Sequence, residues 1–163
     1  MNCEDIKSKL KTSIFGQNLV CLDQTDSTNT RILQLAKEGA PEGTVVCAES
    51  QTAGRGRLGR PWFANPGENL LFSLLLRPER NVDEVQKITL AVATAMVETL
   101  RKALPTYRAK SLIEVKWPND ILIANRKVCG ILAESVLQAK RIGALAIGFG
   151  VNVNTPQSNM PPE

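Results

Sequence analysis

The stretch Gln51-Thr52-Ala53-Gly54-Arg55-Gly56-Arg57-Leu58-Gly59-Arg60-Pro61-Trp62 carries the residue types best suited to chemistry. Glycines at 54, 56 and 59 free the backbone for unusual angles and let main-chain N–H groups come close to a ligand. Arg55, Arg57 and Arg60 alternate with them, and the segment contains no acid. Their planar, permanently charged forks suit carboxylate and phosphate oxygens. Trp62 offers a flat face for stacking on a base. The same composition also describes a solvated loop or an arginine–glycine patch for nucleic acid, so the loop alone points to an anion without naming it.

Three further segments carry polar or conformationally special residues. In Lys116-Trp117-Pro118-Asn119-Asp120 a lysine leaves a strand at a turn, beside a tryptophan able to exclude water and sharpen a lysine–phosphate interaction. An ordinary hairpin turn with a solvated lysine explains the same residues. In Gly148-Phe149-Gly150-Val151-Asn152-Val153-Asn154, glycines inside a strand mark either the close approach of a ligand or a bulge, and Asn152 and Asn154 share a side. Asp26-Ser27-Thr28-Asn29 offers hydroxyls and an amide at a helix start, where N-capping explains Ser27 without a ligand.

Composition narrows the chemistry available. The chain has 163 residues, the size of one domain, with 43% hydrophobic and 22% charged residues and a formal charge of +4. It contains no histidine, which excludes His-dependent triads and His-ligated zinc. Four cysteines, Cys3, Cys21, Cys47 and Cys129, are spread without a C-x-x-C pair. The expectation is therefore four buried free thiols in a cytoplasmic chain. No apolar run is long enough to cross a bilayer, and the first residues lack a signal-peptide pattern. What remains is chemistry by Arg, Lys, carboxylates, backbone amides and a soluble metal ion.

Periodicity places these segments on elements. Residues 4–14 read as a helix from Ile6, Leu10 and Ile14, and Leu19 to Leu22 as a strand followed by the polar turn 23–26. A helix then runs from Ser27 as N-cap to Gly39 as stop. Thr44 to Ala48 and Asn69 to Leu76 read as strands. A long helix covers Val85 to Leu104, with Val85, Ile88, Val92, Ala95, Met96, Thr99 and Leu100 on its apolar stripe and Pro105 ending it. Strands at 112–116, 121–124, 128–137 and 142–153 complete the chain, with hairpin tips at Asn125-Arg126 and Gln138-Ala139-Lys140. Residues 155–163 hold three prolines and no core pattern. Helices early and a strand meander late predict an α+β fold with a mixed sheet.

Order and combination then carry a resemblance that no single segment carries. The blocks D-S-T-N (Asp26–Asn29), A-E-x-Q-x-x-G-R-G-R-x-G-R-x-W (Ala48–Trp62), K-W-P-N-D (Lys116–Asp120), R-K-x-x-G-I-L (Arg126–Leu132) and G-x-G-x-N-x-N (Gly148–Asn154) occur in sequence. The chain resembles the catalytic domain of the biotin protein ligases, or holocarboxylase synthetases, from about residue 18 onward. The resemblance implies a mixed β-sheet packed with helices, of the class II aminoacyl-tRNA-synthetase-like, biotin–lipoate ligase kind. It implies ATP and biotin as substrates, Mg²⁺ with the nucleotide, and transfer of biotin from biotinyl-5′-AMP to a lysine of the biotin carboxyl carrier protein of acetyl-CoA carboxylase.

Position by position, the resemblance assigns Ser27, Thr28, Asn29 and Gln51 to biotin. It assigns Arg55, Gly56 and Arg57 to the carboxylate and phosphate, and has Gly130 and Gly148 let the ligand lie near backbone. Lys116 is the expected main electrostatic catalyst, with Arg55 second and both also touching biotin. Arg57, Arg60, Trp62, Lys127 and Asn152 are expected on the nucleotide side; no metal ligands are assigned. The expected organisation is a single domain over 1–163, lacking an N-terminal DNA-binding domain and the C-terminal small β domain of typical family members. DNA and membrane partners are not expected, and homodimerisation through a sheet edge stays open. Alternatives are a truncated biotin-binding remnant without full catalysis, a lipoate ligase or octanoyl transferase relative (whose His-containing signature is absent), and a nucleic-acid module.

Overall fold

Alternation along the strand after residue 140 sets the architecture. Leu145, Ile147, Phe149 and Val151 fall on one side of it and Ala144, Ala146, Gly148 and Gly150 on the other, and nearly all are buried. A strand buried on both faces belongs in the middle of a sheet with a layer on each side. The structure, a computed structural model, describes residues 2–78, 80–104, 106, 111–138, 141–156 and 158. The expected stop at Pro105, residues 139–140 of the expected hairpin tip and most of the proline-containing tail fall on residues outside these; Gln138, the first residue of that tip, ends a strand paired with Arg141.

The described elements run α1 (Cys3–Lys9), β1 (Leu19–Thr25), α2 (Thr28–Lys37), β2 (Val45–Gln51), β3 (Asn69–Leu76), α3 (Val85–Ala103), β4 (Ile113–Lys116), β5 (Asp120–Ile123), β6 (Arg126–Gln138) and β7 (Arg141–Asn152). The strands form one mixed sheet in the order β1-β2-β3-β7-β6-β5-β4. β1 and β2 are parallel, joined through α2, and the other described pairs are antiparallel. This is the expected α+β fold with a mixed sheet.

Each face has its own core. Ile32 and Ala36 of α2 pack with Val46, Leu75, Ala144 and Ala146. Ala93 and Val97 of α3 pack with Ile113, Ile121, Cys129, Ile131, Leu145, Ile147 and Phe149 on the opposite face. Phe72 and Phe149 stack there with ring centroids 4.5 Å apart.

Several local expectations are corrected. The first helix ends at Lys9, and Ile14 is exposed. Residues 23–25 continue β1 instead of turning, because Gln24 and Thr25 pair with Ser50 and Gln51 of a longer β2. The buried stripe of α3 is Thr89, Ala93 and Val97, flanked by Val85, Ile88, Val92, Met96 and Leu100, while Ala95 and Thr99 face solvent. Small residues blurred the phase of that stripe. The β5–β6 tip is Ala124-Asn125, both with positive φ as a two-residue primed turn requires, one residue earlier than expected. Four free thiols are also not what forms. α1 lies against β1 and brings Cys3 to Cys21 with Cα atoms 5.9 Å apart, and the two are disulfide-bonded, leaving Cys47 and Cys129 free and buried.

Candidate functional site

The α2 face of the sheet is covered by α2 only as far as Ala146. Beyond it, Gly148 and Gly150 of β7 and Gly130 of β6 carry no side chain, Asn29 and Trp62 lie against them in that space, and a cleft of about 460 Å³, counted to its open mouth, opens between these two side chains. Its lining includes Ser27, Thr28, Asn29, Gln51, Arg55, Gly56, Arg57, Trp62, Asn119, Lys127, Gly130, Ile131, Leu132 and Gly148.

The inner end is a closed hydrogen-bond network. Ser27 precedes α2 at the N-cap position but makes no side-chain cap bond; it is buried beside the cleft, so capping does not account for it. Gln51, the last residue of β2, accepts from the Thr28 N–H at 2.7 Å and lies 3.1 Å from the Thr28 hydroxyl. Ser73 of β3, fully buried, sits with its Oγ 2.7 Å from both Thr28 Oγ1 and Asn29 Oδ1. Asn29 donates from Nδ2 to Glu134 Oε2 (2.7 Å) and to the Leu132 carbonyl (3.2 Å). A Cβ on Gly148 would stand 2.5 Å from Asn29 Oδ1, so glycine is required for the amide to reach the strand.

The arginine segment forms the cleft's upper wall. Instead of an open loop it is a hairpin closed on itself: Gly56 N–H donates to the Arg60 carbonyl (2.7 Å) and Trp62 N–H to the Gly54 carbonyl (2.9 Å). Leu58 and Gly59 turn its tip at positive φ, and Leu58 is 88% exposed. Two side chains tie the hairpin to opposite walls. Arg55 Nη2 reaches Thr30 Oγ1 (3.0 Å) and Glu134 Oε1 (3.3 Å), and Arg57 Nη1 reaches Asn119 Oδ1 (3.3 Å). Trp62 lays its ring on Gly130 and Gly150, where either Cβ would collide with it. Its buried indole N–H has no hydrogen-bond partner among the described residues. Lys127 Nζ stands 5.3 Å from the Trp62 ring centre and 2.8 Å from Asp120 Oδ1.

Of the expected site residues, Arg60, Lys116 and Asn152 do not line the cleft. Arg60 is exposed on the hairpin. Asn152 follows Gly148 and Gly150 on the same side of β7 but past the cleft's lining, accepting from Asn69 Nδ2 (2.8 Å) and donating to the Lys127 carbonyl (3.1 Å). Lys116 is exposed at the end of edge strand β4. Register places it opposite Asp120, which is opposite Gly130, so it shares the cleft's face about 10 Å out from that glycine. Trp117 is 74% exposed and does not shield it. The cations that do meet in the cleft are Arg55, Arg57 and Lys127, and the carboxylates paired with them are Glu134 and Asp120, an excess of one positive charge.

Ser73, Glu134, Asn119 and Thr30 escaped the sequence reading. Ser73 had a signal, as the one hydroxyl in the apolar run Asn69–Leu76. Glu134 lay at the next even position after Gly130 and Leu132 on a strand whose face was unknown until paired. Asn119 and Thr30 stood inside or next to quoted motifs and were passed over as turn and helix residues.

Comparison with known proteins identifies the family and the fold. The family model described as the biotin/lipoate A/B protein ligase family matches residues 21–152. The bifunctional ligase/repressor BirA of Bacillus subtilis is 40% identical over 159 residues, covering 98% of this chain and 47% of that protein. The biotin–[acetyl-CoA-carboxylase] ligase of Paracoccus denitrificans is 39% identical over 133 residues, 81% of this chain and 53% of that one. The solved biotin protein ligase from Aquifex aeolicus in complex with biotin and ATP matches with a TM-score of 0.67 at 33% identity, covering 88% of this chain and 56% of that chain. The Leishmania major enzyme in complex with biotin gives 0.72 at 27% identity, with coverage of 90% and 61%. The chain thus spans about half the length of the curated relatives it matches. It is a member of the biotin/lipoate A/B protein ligase family.

Proposed function

We propose that this chain binds biotin and ATP in the cleft, forms biotinyl-5′-AMP, and passes biotin to a lysine of a biotin carboxyl carrier protein. One observation carries the reading: the polar inner pocket and the three cations open into the same glycine-lined cleft. The Thr28–Asn29–Gln51–Ser73 end supplies amide and hydroxyl groups fit for a ureido ring, and suits the aliphatic tail of an octanoyl group or the apolar dithiolane of a lipoyl group poorly. The hairpin and Lys127 suit the junction where a carboxylate attacks an α-phosphate.

In the first step the carboxylate oxygen bonds to the α-phosphorus and pyrophosphate leaves. In the second a carrier amine attacks the acyl carbon and AMP leaves. Both bring anions together or separate them, so fixed cations and alignment supply the catalysis. Arg55 and Arg57 face the carboxylate and phosphate, and Lys127 the developing charge at their junction. Trp62 forms the surface on the nucleotide side, with Arg60 and Asn152 farther out. Lys116 remains a candidate by resemblance, acting from the cleft's outer rim. Mg²⁺ would come with the triphosphate, whose oxygens and water are its usual ligands; Asp120 and Glu134 are already committed to Lys127, Arg55 and Asn29.

Among the described residues no helix is long and apolar enough to cross a membrane. A cytoplasmic setting is inferred from the carrier. Self-association would use an open sheet edge, β1 or β4. The test is pyrophosphate release from ATP on adding biotin, with lipoate and octanoate in parallel, followed by labelling of a carrier domain. Biotin-dependent release and labelling are expected. Biotin binding without release marks the chain as a binding remnant, and release driven by lipoate moves it to the other branch of the family.

A further inference from the structure

We infer that Glu134 is a positioning residue that fixes the polarity of the inner pocket and holds Arg55 at the cleft wall. The inference rests on the cleft being the biotin site. Its two carboxylate oxygens are divided: Oε2 takes the Asn29 amide N–H at 2.7 Å, and Oε1 takes Arg55 Nη2 at 3.3 Å. The other Asn29 N–H goes to the Leu132 carbonyl. With both donors consumed, the Asn29 oxygen turns toward Ser73 and the space above Gly148, so that side of the pocket presents an acceptor. An amide has no intrinsic preference between its two flipped orientations; two acceptors on one side, the Glu134 carboxylate and the Leu132 carbonyl, impose one, and Glu134 is the nearer.

The Arg55 side works differently. Nη2 is held between Glu134 and Thr30, leaving the remaining N–H donors of the fork for an incoming anion. The pair is partly exposed, with side chains 42% and 31% accessible, so its worth lies in aiming the guanidinium more than in stability. Glu134 thereby joins the pocket for the ligand's neutral head to the hairpin that meets its charged end.

The experiment uses the whole chain and measures biotin and biotin amide affinities by calorimetry, pyrophosphate release kinetics and melting. In Glu134→Gln, the neutral amide still accepts from Asn29 but turns its own NH₂ toward Arg55, releasing it. Biotin affinity is expected to fall about tenfold and that of biotin amide, which brings Arg55 no charge, about threefold. KM for biotin rises as affinity falls, while kcat stays within about threefold. Glu134→Asp, one methylene shorter, keeps the charge but spans one partner at a time and should lie between the two.

Equal losses for biotin and its amide, unchanged KM, or Glu134→Asp no better than Glu134→Gln would each overturn the assignment. If Glu134→Gln melts below the assay temperature, the Glu134→Asp comparison of the two ligands decides alone by the same criterion. A parent chain that binds biotin and releases pyrophosphate beside an unaffected Glu134→Gln removes only this inference. A parent that does neither removes the functional reading with it.

Discussion

Gly148→Ala tests the cleft lining most directly. A methyl group there would stand 2.5 Å from Asn29 Oδ1 and 2.9 Å from its Cγ, well inside contact distance. Asn29 has little freedom to step aside: it is 3% exposed and held by Glu134, Leu132 and Ser73. Either the β7 backbone yields, an overpacking cost of roughly 1–3 kcal/mol, or Asn29 leaves its charged partner, at roughly 1.5–3 kcal/mol. Stability should therefore fall by about 2–3 kcal/mol, which for a chain of this size lowers the melting temperature by about 4–12 °C. Biotin affinity should fall more than tenfold, since either escape moves the pocket's acceptor. Gly143→Ala on the same strand is the control. The atoms nearest its methyl belong to the side chain of exposed Gln138, which can swing away, so stability and binding should stay near the parent's. A Gly148→Ala protein that melts within 1 °C or so of the parent and binds biotin normally would show that the lining is not where the geometry puts it.

Other expectations follow from the same geometry. Lys127→Ala strips Asp120 of its partner and the cleft of a cation, and should slow pyrophosphate release by about a hundredfold; Lys116→Ala, out at the rim, should slow it less and barely alter biotin binding, and the reverse order would return Lys116 to the centre. Arg55→Gly removes the tie to Thr30 and Glu134, so biotinyl-5′-AMP should escape about tenfold faster and label surface lysines at random, as a filter-binding chase would detect. Burial pushes the Cys47 thiol up to about 11 and Cys129 up to about 12, the latter helped by Asp120 and opposed by Lys127. These thiols stay protonated in the fold while the unfolded chain ionises them above about pH 8.5, so stability is full below that pH and declines as pH rises toward 11. Cys47→Ala should flatten the fall in melting temperature, and an unaltered slope would contradict the burial argument. A thiol reagent at pH 8 should find none in the native chain, two in denaturant and four after reduction; four without reduction would dismiss the Cys3–Cys21 bond.

Where the sequence was legible, a physical pattern repeated. β3 was bounded correctly because a continuous apolar run ends at Arg77-Pro78, and α3 because nineteen residues of helical periodicity outweigh any ambiguity. The cleft lining falls within the motif blocks. Failures came where pairing decides. Whether Asp23–Thr25 is turn or strand depends on β2 lying beside it, and nothing local announces that. Lys116 and Lys127 looked alike as lysines beside turns; only sheet order shows that one lies on the edge and the other against Trp62. The disulfide was invisible because it depends on α1 folding back along β1, a contact between elements that bury almost nothing together.

The β3–β7 ladder, eight register pairs from Asn69–Asn152 to Leu76–Leu145, joins two stretches of chain that each own one wall of the cleft. Asn29 finds Leu132 and Glu134 across separations of 103 and 105 residues. Until that seam closes, a nascent or partly melted chain has hydroxyls on one fragment, glycines on the other, and nowhere for a small molecule to lodge. Ligand would therefore recognise only the finished sheet and act as a clasp upon it, drawing late folding forward by mass action. A chain severed between β3 and α3 would offer two halves whose reunion the same small molecule would report.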